Sequence, residues 1–416
     1  MKTIVLDDDP TGTQCATNVA VLFNWNTDEI VEALKFKQSV YLQTNSRSLS
    51  QKAAVELATS IKKEGIEAGQ KLGEEIQFVL RGDSTLRGHV FTETAVFAEA
   101  VTPILFLPAY PDVGRTTLDG IHFVEIEGSK IRADETEFAK DPVFGFDSSN
   151  LLEFVRQKSN RTGIHVPLVT VRGDLSALIQ AFAQAPLNSV IIPDAVTNSD
   201  IEKIAKALAM LRSSGTKIVV RCAAPLAASV AGVRSTSMLE GPIAKDSPRA
   251  LVVVGSHTSG ATKQLGLLQE KWGVAFVINT LEALENPVKA AQTLMDNLDK
   301  VLPTQKVLTI SSERKREVDH NTLEHGDLVM NSLILVVRKL YRNFDVVIAK
   351  GGITSAEVAR ASLSAKNGWV LGQILPGISV WRVQDSLGKN YLYVVVPGNV
   401  GNSDTLLNVL KIVGIS

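Results

Sequence analysis

The chain has 416 residues, more than one hydrophobic core usually organises, so two domains are expected. Its 43 Lys and Arg nearly balance 44 Asp and Glu, and this net charge of −1 excludes both the basic field of nucleic-acid-binding proteins and a polybasic membrane anchor. Two isolated cysteines exclude a disulfide framework. No apolar run reaches the roughly 20 residues that span a bilayer, and no signal-peptide pattern opens the chain, so a cytoplasmic protein is expected.

In chain order, short β-branched runs alternate with amphipathic helical patterns, which predicts two α/β domains with largely parallel sheets. The predicted strands of the first half are 3–6, 40–43, 77–80, 104–107, 166–171, 190–193 and 217–221. The predicted helices of this half are 51–72, 92–101, 174–184 and 200–212. Residues 120–131 predict a β-hairpin inserted into the series.

Residues 239–248, LEGPIAKDSP, place two prolines and a glycine between helical and strand patterns, which predicts a linker. A second series of strands is predicted at 250–254, 274–278, 306–310, 345–348 and 391–396. Its helices are predicted at 261–271, 287–298, 323–341 and 355–363. The predicted domains are therefore residues 1–240 and residues 241–416.

Polar loops directly follow predicted strands of the first half, where open parallel sheets bind ligands. The first loop, DDDPTGTQ at 7–14, opens with three carboxylates that repel one another and need a cation, a ligand or solvent. In a kinase, one carboxylate would accept the proton of the attacking hydroxyl and another would help to hold Mg²⁺. The same residues are also typical of a plain turn.

Three further loops concentrate arginines and hydroxyl groups. In TNSRSLS at 44–50, Arg47 suits an anionic polyol, whereas Ser50 suits a helix N-cap. In RGDSTLRGH at 81–89, Arg87 would clamp a carboxylate and Asp83 would accept hydrogen bonds from sugar hydroxyls, unless the two form an ordinary ion pair. PAYPDVGRTT at 108–117 adds Arg115. Together these loops predict a small, hydroxylated, anionic ligand.

Small residues dominate three strand-end loops of the second half, VGSHTSG at 254–260, KGGITS at 350–355 and PGNVGN at 397–402. Such loops let backbone amides approach phosphate oxygens, although many ordinary strand–helix turns resemble each of them. The chain contains no G-x-x-x-x-G-K-[ST], which excludes a P-loop enzyme. It also lacks a G-x-G-x-x-G after its first strand, which disfavours a dehydrogenase.

The ordered set LDDDPTGTQ, TNSRSL, RGDSTLRGH, PAYPDVGRTT, VVVGSHTSGAT, KGGITS and VVPGNVGNSDTL resembles the four-carbon acid sugar kinases along nearly the whole chain. The resemblance implies an N-terminal sugar-acid-binding domain and a C-terminal nucleotide-binding domain, with ATP meeting the substrate in the interdomain cleft. Members of this family phosphorylate threonate, erythronate or 3-oxo-tetronate on the terminal hydroxyl. ATP and Mg²⁺ are therefore the expected cofactors.

The resemblance also implies roles for individual residues. The expected catalytic residues are Asp8 and Asp9, and the sequence does not choose between them as the base. The expected acceptor site consists of Arg47, Arg81, Asp83, Ser84, Arg87 and Arg115. The expected nucleotide contacts are Ser256, Gly351, Gly352, Ile353, Thr354 and Gly398. No residue is assigned as a metal ligand.

Two departures from the family pattern lie on the acceptor side. Pro10 stands where the family has Phe or Leu, and Arg81 stands where it has Lys. They leave the acceptor's chain length and stereochemistry open, so a sugar acid longer than four carbons is one expectation. The main alternative is a non-catalytic protein that binds a nucleotide and a sugar acid to regulate a partner. The sequence leaves the oligomeric state open, a homodimer included.

Overall fold

The computed structural model describes residues 1–99, 101–126, 128–244, 247–298, 302–314 and 323–416. The chain divides into two compact units. The first consists of Met1–Ala20 and Asn24–Ser235, and the second of Val21–Phe23 and Thr236–Ser416. The mixed α/β fold with mostly parallel strands, predicted from the alternating pattern, is confirmed.

The first unit contains strands and helices in near alternation. Its strands are β1 (Lys2–Asp7), β2 (Val19–Leu22, whose last two residues count with the second unit), β3 (Ser39–Gln43), β4 (Ile76–Arg81), β5 (Ile104–Leu107), β6 (Arg115–Leu118), β7 (Ile121–Ile126), β8 (Ser129–Arg132), β9 (Thr162–Val166), β10 (Ser189–Pro193) and β11 (Val219–Cys222). Its helices are α1 (Thr27–Leu34), α2 (Gln51–Leu72), α3 (Val90–Phe97), α4 (Leu151–Lys158), α5 (Leu168–Arg172), α6 (Leu175–Ala183), α7 (Asn198–Ser213) and α8 (Ala224–Val230).

Seven of these strands run parallel in the order β3-β1-β4-β11-β5-β10-β9. Helices cover such a sheet on both faces, so its strands are buried throughout and read as apolar runs. The core beside β5 and β10 is aromatic, and the rings of Phe106 and Phe154 stack there at 5.8 Å. This packing fixes the strands whose ends carry the polar loops.

The hairpin predicted at 120–131 is confirmed in its described residues, while Glu127 lies outside them. Strands β7 and β8 pair antiparallel, and β6 completes a separate three-stranded sheet. The strand predicted at 166–171 is wrong beyond its first residue. Val166 ends β9, and Pro167 is the N-cap residue of helix α5, because proline donates no N–H to a sheet but is tolerated where a helix begins.

The second unit also alternates strands and helices. Its strands are β12 (Ala250–Val254), β13 (Phe276–Ile278), β14 (Val307–Ser312), β15 (Val346–Lys350), β16 (Asn367–Leu375), β17 (Ile378–Gln384) and β18 (Asn390–Val396). Its helices are α9 (Ser259–Trp272), α10 (Thr280–Glu285), α11 (Pro287–Leu298), α12 (Leu323–Leu340), α13 (Gly352–Glu357) and α14 (Thr405–Val413). A π-helical turn, Val358–Ser362, continues α13.

Strands β13-β14-β12-β15-β18 are parallel, and β17 and β16 extend this sheet antiparallel. The antiparallel pair is absent from the sequence prediction. Of the predicted linker at 239–248, residues 245–246 lie outside the described part of the chain. Within the described residues, none of the helices combines the length and the apolar character that crossing a bilayer requires.

Candidate functional site

Parallel register brings the polar loops of the first unit to one edge of its sheet. Asp7, the last residue of β1, lies beside Gln43 of β3 on one side and beside Arg81 of β4 on the other. Cys222 of β11 lies next to Arg81 in turn. These four paired residues are the last residues of their strands, so the loops that follow the strands begin side by side. The polar loops therefore meet at one edge of the sheet, as the sequence predicts, and this is the kind of edge at which open parallel sheets bind ligands.

The Arg81 guanidinium is the centre of the acidic cluster. Its Nη1 lies 3.1 Å from Asp7 Oδ1, 3.1 Å from Asp8 Oδ1 and 3.0 Å from Asp9 Oδ1. The side chain is only 4 % exposed, so these charge-assisted bonds form away from water. The three repelling carboxylates thus find their counter-charge in the protein itself.

Asp7 is fully buried beneath this cluster. Burial raises the pKa of Asp7 to about 7, and the Arg81 charge acts in the opposite direction. Gly12 packs directly on the Asp7 carboxylate, and any side chain at position 12 would overlap it. This close approach explains why the DDDPTG loop carries a glycine at that position.

Asp9 also builds the turn that follows it. Its Oδ1 accepts a 2.7 Å hydrogen bond from the Thr11 backbone N–H and another from the Thr11 hydroxyl. It thereby caps a 3₁₀ turn, Pro10–Cys15, whose first residue is proline. The turn predicted as the alternative interpretation of this loop is therefore present. It begins at the acidic residues and is capped by one of them, so a turn and a cluster of carboxylates are both features of this loop.

Arg47 bridges the acidic loop and the following loop of the site. Its guanidinium forms an ion pair with Asp9 Oδ2, lies 3.1 Å from Asp83 Oδ2 and lies 3.5 Å from Asp8 Oδ2. The residue sits in a short 3₁₀ turn, Ser46–Ser48, entered through Asn45 in the left-handed region. Ser50 caps helix α2, as predicted from the sequence.

Asp83 and Arg87 form the partly exposed side of the cluster. Arg87 Nε lies 2.8 Å from Asp83 Oδ2, and the Thr85 hydroxyl donates to the same oxygen at 2.6 Å. Burial alone would raise the pKa of Asp83, but Arg87 and Arg47 together hold it well below its usual range. The Arg87 side chain is 26 % exposed and lies over the Phe138 ring, so it reaches solvent from a fixed position.

Ser84 and Arg115 lie in the same unit with different partners. The backbone carbonyl of Ser84 is 2.8 Å from His122 Nε2, and burial lowers the pKa of His122 to about 4. Arg115 begins β6, donates to the Val113 carbonyl, and is buried. Burial lowers the pKa of Arg115, while the charge of Asp83 acts the other way.

Two charged residues that the sequence analysis missed complete the cluster. Arg221 of β11 is 2 % exposed, and its Nη1 donates to Glu93 Oε2 at 2.8 Å. Its Nη2 lies 3.5 Å from Asp8 Oδ2. Gly82 packs against this guanidinium, since a Cβ there would lie 2.6 Å from Nη2. The feature of the sequence that could have revealed Arg221 is its position inside an otherwise apolar strand, VVRC.

The acidic cluster does not fit a directly bound divalent cation. Among the described residues, no three His, Cys, Asp or Glu side chains are placed to hold a metal ion. Instead, the Oδ1 atoms of Asp7, Asp8 and Asp9 contact the Arg81 guanidinium. The described residues therefore give no support to the expectation that one of these aspartates helps to hold Mg²⁺.

In the second unit, the three glycine-containing loops meet at the ends of β12, β15 and β18. Val254 pairs with Lys350, which pairs with Val396. The Lys350 carbonyl accepts from the Ser256 N–H at 3.2 Å, and the Thr258 hydroxyl donates to the Gly398 carbonyl at 2.6 Å. The same hydroxyl caps helix α9.

Glycine is required where these loops touch. A Cβ on Gly398 would lie 2.6 Å from Ser256 Oγ. Gly351 has φ +120°, and a Cβ there would lie 3.2 Å from the Ser256 backbone nitrogen. Because these loops approach one another so closely, the surface around Ser256, Gly351 and Gly398 consists mainly of backbone, and we call it the glycine-rich floor. A backbone surface of this kind suits a bulky anionic group. Ser256, Gly351 and Gly398, all predicted nucleotide contacts, are therefore brought together.

The remaining predicted nucleotide contacts open helix α13. Gly352 is half-buried, Ile353 is 46 % exposed, and Thr354 is buried with its hydroxyl against Gly255. Ile353 thus presents an apolar side chain to solvent beside the glycine-rich floor. The other residues of the turn hold the floor in place.

Lys350, at the end of β15, is a further residue that the sequence analysis did not single out as functional. It is fully buried, and its Nζ donates to the Pro397 carbonyl at 2.6 Å and to the Val400 carbonyl at 3.1 Å. Burial lowers the pKa of Lys350 to about 7. The ammonium group ties the loop that contains Gly398 to the central strand.

Comparison with known families assigns different domains to the two halves of the chain, one with the acidic cluster and one with the glycine-rich loops. Residues 3–230 match the family described as the sugar-binding N-terminal domain, and residues 251–406 match the nucleotide-binding C-terminal domain. The two together define a class of proteins with a sugar-binding and a nucleotide-binding half. The chain belongs to the family that combines these domains, which is the architecture of the four-carbon acid sugar kinases. The family resemblance predicted from the motifs is confirmed.

Two solved structures share the fold over the whole chain. The Haemophilus influenzae protein HI1011 is 19 % identical with a TM-score of 0.63, and the alignment covers 99 % of this chain and 100 % of that one. A Salmonella typhimurium LT2 protein, provisionally named a tRNA synthase, is 17 % identical with a TM-score of 0.72 and 99 % coverage of both chains. At these identities the likeness shows the fold alone. No curated protein matches the chain.

Proposed function

We propose that the protein is an ATP-dependent kinase that phosphorylates a hydroxyl of a small sugar acid. Residues 1–240 would bind the acceptor and residues 241–416 the nucleotide. The observation that carries the proposal is the arrangement of the first unit, where partly exposed arginines border a buried carboxylate, Asp8, one oxygen of which has no hydrogen-bond partner among the described residues. This arrangement lies within the segment that matches a sugar-binding domain.

On the acceptor side, the arginines supply the charge that a sugar acid needs. Arg87 and Arg47 are the partly exposed members, with side chains 26 % and 15 % exposed. Planar guanidinium groups can pair bidentately with a carboxylate, and Arg87 is the better placed of the two, because all three nitrogens of Arg47 already face the carboxylates of the cluster. Asp83, kept ionised by these arginines, accepts hydrogen bonds from acceptor hydroxyls. Arg115 and the Ser84 hydroxyl are further proposed contacts.

Hydrogen bonding favours Asp8 over Asp9 as the general base. Both Asp9 oxygens are engaged, Oδ1 by Thr11 and Arg81 and Oδ2 by Arg47. Asp8 Oδ2 is buried and has no hydrogen-bond partner among the described residues. A base must have a lone pair free for the proton that it accepts. Asp8 therefore takes the proton, and Asp9 shapes the turn and anchors Arg47.

On the nucleotide side, the backbone around Ser256, Gly351 and Gly398 would carry the phosphates of ATP. The exposed Ile353 side chain, next to this floor, offers an apolar surface to the nucleotide. Gly352 and Thr354 belong to the same turn. ATP enters as its Mg²⁺ complex, and the ion is part of the substrate that neutralises phosphate charge.

The reaction that follows is a direct transfer. The acceptor hydroxyl oxygen forms a bond to the γ-phosphorus of ATP, its proton passes to Asp8, and the bond between that phosphorus and the β–γ bridging oxygen breaks. The products are ADP and the phosphorylated acid. A general base at this position contributes about 10²–10⁴-fold to the rate.

The test is ADP release from ATP-Mg²⁺ with a panel of four- to six-carbon sugar acids in each stereochemical series. Turnover with one member and not with its stereoisomers supports the kinase and identifies its substrate class. Absence of turnover with every member, while calorimetry shows binding of ATP and of an acid, contradicts the kinase and favours the regulatory binding protein.

A further inference from the structure

Lys350 is a buried lysine of the second unit with no anion beside it. Its Nζ donates to the carbonyls of Pro397 and Val400, at 2.6 Å and 3.1 Å, and among the described residues no carboxylate forms an ion pair with it. Buried charges are nearly always paired, because an isolated charge is far less stable in the protein interior than in water. A lysine kept in this position therefore needs an explanation.

The residues that surround the Lys350 side chain are neutral. Val254 of β12 and Val396 of β18 pair with Lys350 on its two sides. Helix α9 contributes Gln264, whose amide donates to the same Val400 carbonyl at 3.1 Å. The sheet and the helix therefore supply no negative charge.

The ionisable groups on the neighbouring elements have other partners or lie in solvent. Tyr393 of β18 donates to a backbone carbonyl of α13, Glu357 of α13 pairs with Arg360, and His257 contacts a serine hydroxyl at the end of β14. The charged side chains of α9, of α14 and of the residue before α14 are exposed, namely Lys263, Glu270, Lys271, Lys411 and Asp404. Burial is the cause that lowers the pKa of Lys350 to about 7.

Lys350 lies immediately behind the glycine-rich floor. Its backbone carbonyl accepts from the Ser256 N–H at 3.2 Å, and the next residue in the chain is Gly351. Because the peptide group is planar and Nζ is 2.6 Å from the Pro397 oxygen, the Gly398 nitrogen lies within about 5 Å of the ammonium group. One buried side chain is therefore close to all three loops that form the floor.

An anion on the floor would interact with this buried charge without touching it. A phosphate oxygen bonded to the Gly398 N–H lies about 2.9 Å from that nitrogen, and so within about 8 Å of the Lys350 ammonium group. At an effective dielectric constant of about 20, two unit charges at this distance still interact by several times RT. The anion favours the charged form of Lys350, whereas burial alone favours the neutral form.

We infer that Lys350 is a positioning residue of the nucleotide site, whose ammonium group is the buried counter-charge of the phosphates and which takes up a proton when the nucleotide binds. This inference rests on the proposed binding of ATP at the glycine-rich floor and adds to it a charge and a proton. The proton comes from solvent and is released again when the nucleotide leaves.

The test is calorimetric titration of ATP-Mg²⁺ into the full-length protein at pH 8, in buffers that differ in their enthalpy of ionisation. The dependence of the heat on the buffer gives the number of protons taken up per nucleotide. The phosphates of ATP are already ionised at this pH and contribute little. In the wild type we expect uptake of about half a proton at pH 8, and a roughly 3- to 10-fold loss of ATP affinity between pH 6.5 and pH 9.

Three variants separate the charge from the hydrogen bonds that Lys350 makes. K350Q keeps an N–H donor without the charge, so it should take up no proton, and its ATP affinity should be independent of pH over this range. K350M lacks the donor as well and should also take up no proton. K289Q removes an exposed lysine that pairs with Glu282 elsewhere in the second unit, and it should match the wild type.

The wild type alone gives a second measurement if neither Lys350 variant folds. Proton uptake should nearly vanish at pH 6, because Lys350 is already charged there before the nucleotide arrives. Uptake that is larger at pH 6 than at pH 8 would assign the proton to another group and overturn the inference.

ATP binding without proton uptake, or equal uptake by K350Q and the wild type, would also overturn the inference, since the role of Lys350 would then be to hold the loop alone. Both outcomes leave the kinase proposal standing. Failure of the wild type to bind ATP would instead overturn the proposed nucleotide site, and this inference with it.

Discussion

The Arg81 guanidinium lies 3.1 Å from the Asp7 carboxylate, and both residues end adjacent parallel strands. The pair is buried, and it is formed by the sheet register rather than by the loops. A buried carboxylate beside a buried cation titrates differently from one in water. Several properties of the protein follow from this relationship and from its counterparts at the same sheet edge.

Asp7 should make stability depend on pH. Burial raises its pKa in the folded protein to about 7 from the ordinary 3.8, so the folded state holds this proton where the unfolded state has lost it. Folding stability should therefore fall as pH rises from about 4 to about 7, by at most about 4 kcal/mol. Urea unfolding at pH 5 and pH 7.5 measures this difference. In D7N, which cannot titrate there, the difference should be clearly smaller, whereas in D112N, an exposed control, it should match the wild type.

Arg81 should be essential for stability because its buried guanidinium contacts the carboxylates of three aspartates. R81M leaves these carboxylates without their central counter-charge, and we expect it to lose roughly 3–5 kcal/mol of unfolding free energy. R81K keeps one point charge and should lose less, although it cannot reproduce the fork that also reaches Thr11 at 3.3 Å. Denaturant unfolding compares the two. Equal stability of R81M and R81K would show that the positive charge is unimportant.

Lys350 should act on stability in the opposite direction and in another pH window. Burial lowers its pKa to about 7 from 10.5, so the folded state loses this proton before the unfolded state does. Folding stability should therefore rise between pH 7 and pH 10 through this group. K350M removes the titration, so the unfolding free energy of the wild type minus that of the variant should increase from pH 7 to pH 10. A difference that stays constant over this range would argue against a lysine that is costly to charge.

The contact between Gly398 and Ser256 should limit nucleotide binding. In G398A the new methyl group would lie 2.6 Å from Ser256 Oγ, so one of the two loops must move. We expect about a tenfold loss of ATP affinity by calorimetry, and little change in acceptor binding. The double variant S256A/G398A removes the clashing oxygen and should bind ATP better than G398A alone. If the double variant binds ATP more weakly, the clash is not the cause.

Much of the fold could be predicted because local signals agree with the final structure. Helix α2 has the predicted bounds, since Ser50 caps its start and Gly73 in the left-handed region ends it. Of the missed pair β16 and β17, strand β16 carries the apolar residues Trp369 and Leu371 at its less buried positions, so its sequence lacks the apolar–polar alternation that marks a half-exposed strand. Helix α5 was missed because three of its five residues are β-branched and it comes one residue after a strand.

The candidate site could be predicted only in part, because local sequence signals identify the loops but not the contacts between distant residues. Loops that follow parallel strands must meet at one edge, so Asp8, Arg47 and Asp83 were expected close together, and they are. Arg221 and Glu93 are 128 residues apart in sequence, and no local spacing connects them. Lys350 looks like the end of an apolar strand until its carbonyl partners are known. Arg221 and Lys350 are single charges in or at the end of apolar strands, and Glu93 lies between two threonines of helix α3.

The central claim is that the acidic cluster of the first unit and the glycine-rich loops of the second serve one phosphoryl transfer. The most direct measurement is a single-turnover reaction of the acid found by the panel with ATP-Mg²⁺, in which ADP and the phosphorylated acid are quantified together for the wild type and for D8N. The account predicts equal amounts of the two products, and a rate that is about 10²–10⁴-fold lower in D8N with unchanged ATP affinity. ADP formed without a phosphorylated acid, or a D8N rate close to that of the wild type, would contradict it.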